Sequence, residues 1–351
     1  MAFNLQDLVL PHIQAMKPYS SARDEFRGDG MVFLDANENN LGSVGTSEAL
    51  NRYPDPIQLP LKEKLAHLNG ISEKQIFLGN GSDEAIDLLI RLVCQSQRDS
   101  ILVQPPTYGM YAVSASLNQT EVQEIPLKPD LSLDVKAIVA AIRAETKIIF
   151  LCSPNNPTGV TLAPEQIKDV LIAANCLVVV DEAYIDFSRS PSVINWLDEF
   201  PNLVVLRTFS KAWGLAGIRL GAAFASEEII RYLTKIKPPY NVNILTQRAG
   251  LAALDSADEM KEYVNQVISE RERLHQQLKK LPAVVEVYPS DANFLLVKFD
   301  REVKPIYDTL LAEGVVVRDR SKVLYCENAL RFSIGTAEEN DKVIDILTDK
   351  L

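Results

Sequence analysis

The chain has 351 residues, 47% of them hydrophobic, which supplies a sizeable core and length enough for a large domain with a smaller partner. A net charge of −11 disfavours nucleic acid or an anionic membrane surface as a partner. The 3 histidines and 4 scattered cysteines assemble no zinc-site spacing, so metal chemistry is not expected.

The opening stretch, MAFNLQDLVLPHIQ, lacks the basic segment and apolar run of an export signal, and no apolar run approaches the roughly 20 residues that cross a bilayer. A cytoplasmic protein with reduced, mostly buried cysteines is expected. Residues 1–30 read as an arm: a short amphipathic segment (Leu5, Leu8, Val9), Pro11, then Met16-Lys17-Pro18-Tyr19, too polar and too broken for a core element. Met31–Leu34 reads as a short strand before the polar loop Asp35–Asn40. Asn51–Pro56 is a second loop, stiffened by two prolines around Tyr53, and Leu59–Leu68 has helical periodicity.

Gln75–Leu78 predicts a strand, followed by a glycine turn and a helix through Cys94 with Ser82 as its N-cap. A strand, a glycine turn and a helix N-terminus together suit an anion, because the first helical N–H groups have no partner within the helix. The G-x-G lacks the third glycine of a dinucleotide fingerprint, and Asp83 suits a phosphate only if its carboxylate points away.

Ser100–Val103, Lys147–Leu151, Leu177–Val180 and Leu203–Leu206 are near-continuous apolar runs with polar residues at their carboxyl ends. That is the pattern of an α/β protein whose mostly parallel sheet is covered by helices on both faces. Past Pro238 the texture changes. Residues 242–281 are mainly helical and charge-rich, with Arg271, Glu272 and Arg273 expected on solvated faces. Short strands at 284–288, 294–299, 315–318 and 330–334 then interleave with helices, as in a smaller α+β unit. The predicted organisation is an arm (1–30), a large domain (31–240) and a small C-terminal domain (241–351).

Four polar loops fall at the carboxyl edge of the large sheet, where open α/β sheets bind ligands: Gly79–Asp83, Asn155–Gly159, Asp181–Tyr184 and Ser210-Lys211. A lone lysine past a strand is ordinarily a solvated one. In this company its type matches the needs of pyridoxal 5′-phosphate. The aldehyde of that cofactor needs an amine, its ring nitrogen a carboxylate and its phenolic oxygen neutral donors. Its phosphate needs a helix N-terminus with hydroxyl and guanidinium groups.

Through PNNPTG (154–159), DEAY (181–184) and SKAWGLAGIRLG (210–221), in this order, the chain resembles the fold-type I pyridoxal-phosphate enzymes of the aspartate aminotransferase superfamily. More narrowly, it is similar along its whole length to the histidinol-phosphate aminotransferase family. The stretches that carry this are KPYSSARDEF (17–26), LDANEN (34–39), RYPDP (52–56), GNGSDEAIDLLIR (79–91), PTYGMY (106–111) and LRFSIGT (330–336). Asn40 departs from the pattern, which usually has proline there.

The resemblance implies that Lys211 binds the cofactor covalently and moves the substrate proton. It implies that Asp181 pairs with the ring nitrogen, Asn156 and Tyr184 hold the phenolic oxygen, and Tyr108 stacks on the ring. Backbone donors of Gly81, Ser82 and Asp83 would meet the phosphate, joined by Ser210 and Arg219. It further implies a homodimer with shared active sites, in which Tyr53 reaches the neighbour's cofactor phosphate. The arm, carrying Tyr19, would pack on the small domain and the partner subunit. The implied reaction exchanges an amino group between histidinol phosphate (or imidazole-acetol phosphate) and glutamate (or 2-oxoglutarate) in histidine biosynthesis. Arg331 would hold the substrate anion beside Asn156, assisted by Arg318 and Tyr19, with Arg320 as the alternative to Arg318. An aromatic amino acid aminotransferase, a threonine-phosphate decarboxylase relative and a silent regulatory protein that keeps the cofactor are the competing readings.

Overall fold

Seven strands build the central sheet: β1 (Ile76–Asn80), β2 (Ser100–Val103), β3 (Glu121–Glu124), β4 (Thr146–Cys152), β5 (Leu177–Asp181), β6 (Leu203–Thr208) and β7 (Leu220–Ala225). They lie in the order β1-β7-β6-β5-β4-β2-β3 in this computed structural model, which describes residues 3–19 and 32–350. Strands β2 to β6 pair in parallel, whereas β7 runs antiparallel to both β1 and β6. The carboxyl ends of β1, β4, β5 and β6 therefore meet at one edge.

The apolar runs follow from burial on two faces. Leu177 and Val179 pack into the layer of helices α2 (Gly81–Val93) and α4 (Glu227–Ile236), while Val178 and Val180 face α1 (Leu59–Asn69) and α3 (Pro164–Ala173). A strand that alternates between two apolar layers has no polar position to offer. After α4 the chain passes through α5 (Ile244–Asp255) and α6 (Ala257–Leu278) into a second, antiparallel sheet. Its strands are β8 (Val284–Val287), β9 (Phe294–Phe299), β10 (Arg318–Asp319) and β11 (Ala329–Ser333), in the order β10-β11-β9-β8. Its apolar face packs on α6, α7 (Lys304–Ala312) and α8 (Ala337–Lys350). Among the described residues no helix is long and apolar enough to cross a membrane.

Four expectations need correction. Leu5, Leu8, Val9 and Ile13 are buried against the α2–α4 layer of the large sheet, not the small sheet. The Leu10 N–H bonds the Leu92 carbonyl at 3.1 Å, so this part of the arm is a core element. Residues 20–30 and Met31 lie outside the described residues, and Val32–Leu34 forms no strand. Helix α2 starts at Gly81 with Asn80 as its cap, which puts Ser82 inside the first turn. Arg271 is buried rather than solvated: its guanidinium donates to the carbonyls of Phe187 at 3.2 Å and Ala292 at 2.9 Å.

Candidate active site

Residues 209–219 connect β6 to β7. Because those strands are antiparallel, the loop leaves and re-enters the sheet at the same edge. The Ser210 N–H donates to Thr208 Oγ1 at 3.1 Å and the Leu215 N–H to the Phe209 carbonyl at 2.9 Å, which folds the loop tightly around Lys211. Lys211 Nζ lies 5.5 Å from the centre of the Tyr184 ring. Burial, then the Arg331 charge, lowers the Lys211 pKa below the ordinary lysine value, against an upward pull from Asp181.

Asp181 ends β5 and is only 2% exposed. Its carboxylate accepts from the Tyr111 hydroxyl at 2.7 Å and from the Ala183 N–H at 3.1 Å. Burial pushes this carboxyl up to about 6, while those two hydrogen bonds pull the other way. Tyr111 is itself fully buried and stacked on Phe150, 4.6 Å between ring centres.

At the other end of the cleft the β1–α2 turn meets the end of the lysine loop. Gly81 has φ 71° and Arg219 φ 56°, both left-handed. The Gly81 N–H donates to the Arg219 carbonyl at 2.7 Å. That bond corrects the expectation for Gly81: its donor is engaged within the protein, and the amides of Ser82 and Asp83 remain as the free first-turn donors. A Cβ on Gly81 would stand 2.7 Å from Arg219 Nη2, so only glycine lets the guanidinium lie over the turn. Arg219 reaches Ser210 Oγ and the Asp83 carboxylate, each at 3.4 Å, and the Tyr108 hydroxyl donates to Asp83 at 3.2 Å. The Asp83 carboxylate is thus engaged sideways by Tyr108 and Arg219.

The third wall joins the two sheets. Asn156 Nδ2 donates to the Tyr184 hydroxyl at 3.4 Å, and Arg331 Nη1 donates to Asn156 Oδ1. Arg318 is the direct cross-strand partner of Arg331, so the two side chains share a face of the small sheet. Arg320 follows two residues on, with its Nε buried and without a hydrogen-bond partner. Burial, then the Arg331 and Arg318 charges, lowers the Arg320 pKa. Burial likewise lowers Arg331, with Arg318 adding to it and Tyr184 opposing. Among the described residues none of these arginines has a carboxylate in a salt bridge.

All the expected cofactor residues except Tyr53 line one cleft of about 160 Å³. Tyr53 is 51% exposed and stacks on Tyr240 at 4.4 Å, while Tyr19 is 72% exposed, and neither lines the cleft. The motifs did not single out Thr208, Cys152 and Ala216, which also line it, nor Tyr111, which buttresses Asp181. Tyr111 closes the PTYGMY stretch and Ala216 falls within SKAWGLAGIRLG, so both stood in the quoted motifs without a role assigned to them. A half-buried amine, a buried carboxylate, a guanidinium over a helix start and a pair of neutral donors make a receptacle for a phosphorylated pyridine aldehyde.

Residues 27–347 match the model of the family Aminotransferase class I and II. Histidinol-phosphate aminotransferase of Cytophaga hutchinsonii is 51% identical over 347 residues, covering 99% of each chain. The protein of the same name from Christiangramia forsetii is 52% identical over 344 residues, covering 97% of each. Among solved structures, histidinol-phosphate aminotransferase from Sinorhizobium meliloti in complex with pyridoxal-5′-phosphate superposes with a TM-score of 0.79 at 25% identity, covering 90% of this chain and 89% of that one. The enzyme of that name from Clostridium acetobutylicum gives 0.79 at 26% identity over 86% and 90%.

Proposed function

The chain belongs to the class I and II aminotransferases, and from that premise we propose that it transfers an amino group between histidinol phosphate and 2-oxoglutarate, using pyridoxal 5′-phosphate held in the cleft described above. The convergence of Lys211, Asp181 and Arg219 from separate strand ends on that cleft carries this reading. The residues present fit the cofactor. Lys211 would bind its aldehyde carbon, Asp181 its ring nitrogen, Asn156 and Tyr184 its phenolic oxygen. Arg219, Ser210 and the amides of Ser82 and Asp83 would bind its phosphate.

When bound, the cofactor supplies an electron sink that makes the substrate Cα–H acidic. Asp181, ionised, would hold the proton at the ring nitrogen, and Tyr111 orients that carboxylate. Lys211 Nζ, its basicity lowered by burial, would take the proton from the substrate Cα and hold it for return during the transfer. Tyr108, which lines the cleft, would cover the ring and exclude water from it.

Arg318 and Arg331 on one face of the small sheet, with Arg320 close by and, among the described residues, no salt bridge to a carboxylate, support a dianionic substrate group. In this reading Arg331 and Asn156 form the centre of that subsite, and Arg318 and Arg320 flank it. Arg331 takes the carboxylate of glutamate in the second half-reaction. The enzyme acts as a cytoplasmic homodimer, with a large domain to about residue 240 and a small one beyond. Tyr53 and Tyr19, exposed in one chain, reach the partner's cleft.

The test is chemical. Borohydride treatment of the cofactor-loaded enzyme should fix the label on Lys211, and histidinol phosphate should be the preferred donor in a panel that includes phenylalanine and tyrosine. A label on another lysine, or no preference within the panel, refutes the assignment.

A further inference from the structure

Asn241, in the link between α4 and α5, is hydrogen-bonded on several sides. Its carbonyl accepts from Asn80 Nδ2 at 2.6 Å. Its own Nδ2 donates to the Leu78 carbonyl at 2.9 Å and to Glu84 Oε2 at 3.2 Å. Its Oδ1 accepts from Gln58 Nε2 at 3.4 Å. Glu84 Oε2 also accepts the Asn80 backbone N–H at 2.6 Å. Neither Asn241 nor Glu84 lines the cleft; both stand behind the turn whose front carries the free amides of Ser82 and Asp83. On its far side, Asn241 adjoins the loop of Tyr53. Gln58 Nε2 also donates to the Pro56 carbonyl at 2.8 Å, Lys237 Nζ bridges the carbonyls of Pro56 and Pro239 at 2.9 and 2.7 Å, and Tyr240 stacks on Tyr53.

We propose that Asn241 is a positioning residue for the cofactor phosphate: together with Glu84 it fixes Asn80, and through Asn80 the direction of the Ser82 and Asp83 amides, while tying the Tyr53 loop to the same framework. The inference rests on the cofactor placement argued above. The turn is already stopped on its other side, since a Cβ on Gly221 of β7 would lie 2.2 Å from the Ser82 nitrogen. Movement toward β7 is therefore closed, and the Asn80–Glu84–Asn241 cluster closes the opposite direction. The position calls for a side-chain amide. It must donate to a carbonyl and a carboxylate and accept from another amide, which an acceptor-only aspartate cannot do. The cluster touches neither Lys211 nor Asp181, so its effect is confined to the phosphate end.

The experiment compares pyridoxal 5′-phosphate with pyridoxal, which lacks the phosphate, as ligands of the cofactor-stripped full chain. Binding is read from the visible absorption band of the lysine-bound cofactor. Asn241→Ala should weaken pyridoxal 5′-phosphate by about tenfold or more, as the loss of hydrogen bonds that orient charged-ligand donors predicts, and leave pyridoxal unchanged within about twofold. Asn241→Asp, which places a second carboxylate beside Glu84, should weaken it further. At saturating cofactor kcat should be preserved. If Asn241→Ala fails to fold, Glu84→Gln tests the same cluster and should give the same selective loss. Equal weakening of both ligands, or no change in either, overturns the inference while a normal wild-type band leaves the cofactor site standing. A wild-type chain without that band overturns the site and this inference together.

Discussion

Asp181 and Glu182 adjoin in sequence, are equally buried and have opposite tasks. Successive side chains at a strand end point to opposite faces. Asp181 turns to the cleft, whereas Glu182 turns away to accept from Ser192 Oγ at 2.5 Å, the Val193 N–H at 2.8 Å and Arg207 Nε at 3.2 Å. Glu182 is partnered by a guanidinium, whereas among the described residues the donors to Asp181 are the neutral Tyr111 hydroxyl and Ala183 N–H. The folded Asp181 pKa near 6 stands above the ordinary 3.8, so it favours folding of the cofactor-free chain at low pH, and that contribution is lost as pH rises through 6. The difference corresponds to about 3 kcal/mol at most once the group is ionised. Asp181→Asn should therefore abolish amino transfer yet leave the cofactor-free protein as stable or more stable at neutral pH. Denaturant melts from pH 4 to 8 should show the variant gaining on wild type as pH rises. At the opposite wall, Arg331→Ala should weaken histidinol phosphate by about 1.5–3 kcal/mol in kcat/KM and histidinol much less. Equal losses would mean that Arg331 serves the fold or the cofactor.

Among the elements, β7 governs the site although it contributes no polar side chain to it. Its glycine at 221 pairs with Thr208 of β6 and Gly79 of β1, and its missing Cβ admits the start of α2. Gly221→Ala must displace backbone rather than a flexible side chain. A loss of about 2–3 kcal/mol in folding stability with weakened cofactor binding is expected, measured by denaturant unfolding and cofactor titration.

The central strands were legible because burial on both faces permits little but apolar residues, and the site because its polar residues cluster where those runs stop. The direction of β7 was not. LGAAFA reads the same either way, and what turns it back is a connection too short for a crossover helix. Arg271 was misread because its acceptors, Phe187 and Ala292, are remote in sequence and leave no local mark on a charged helix. The arm was misread for a related reason: Leu5, Leu8 and Ile13 are too few for a periodic signal and gain their partners only when α2 and α4 are in place. Gly81 was half legible. Its need for a left-handed turn shows in the sequence, but the capture of its N–H by Arg219, far along the chain, does not.

At the scale of the whole molecule, the large sheet lines the cleft with Lys211 and Asp181, and Arg331 of the small sheet joins it from behind through Asn156, yet Tyr53 and Tyr19 remain on the outside. The proposed exchange between subunits predicts complementation. Lys211→Ala and Tyr53→Ala homodimers should each be inactive or nearly so. In the mixed dimer, one site carries both lesions and the other combines native Lys211 with native Tyr53 from opposite chains. Activity should return to one site per dimer. A mixed dimer no better than the Tyr53→Ala homodimer would assign Tyr53 to its own chain.

The position of β1 also sets a timetable for biosynthesis. Among the described residues its neighbour in the sheet is β7 alone, which the ribosome makes long after it. At about 5–20 residues per second, β1 waits on the order of 10 s with an apolar edge unpaired, a window in which wrong strand partners compete for it. The loop bearing Lys211 emerges immediately before the strand that packs against the start of α2. The cleft is thereby incomplete until nearly two thirds of the polypeptide has been translated.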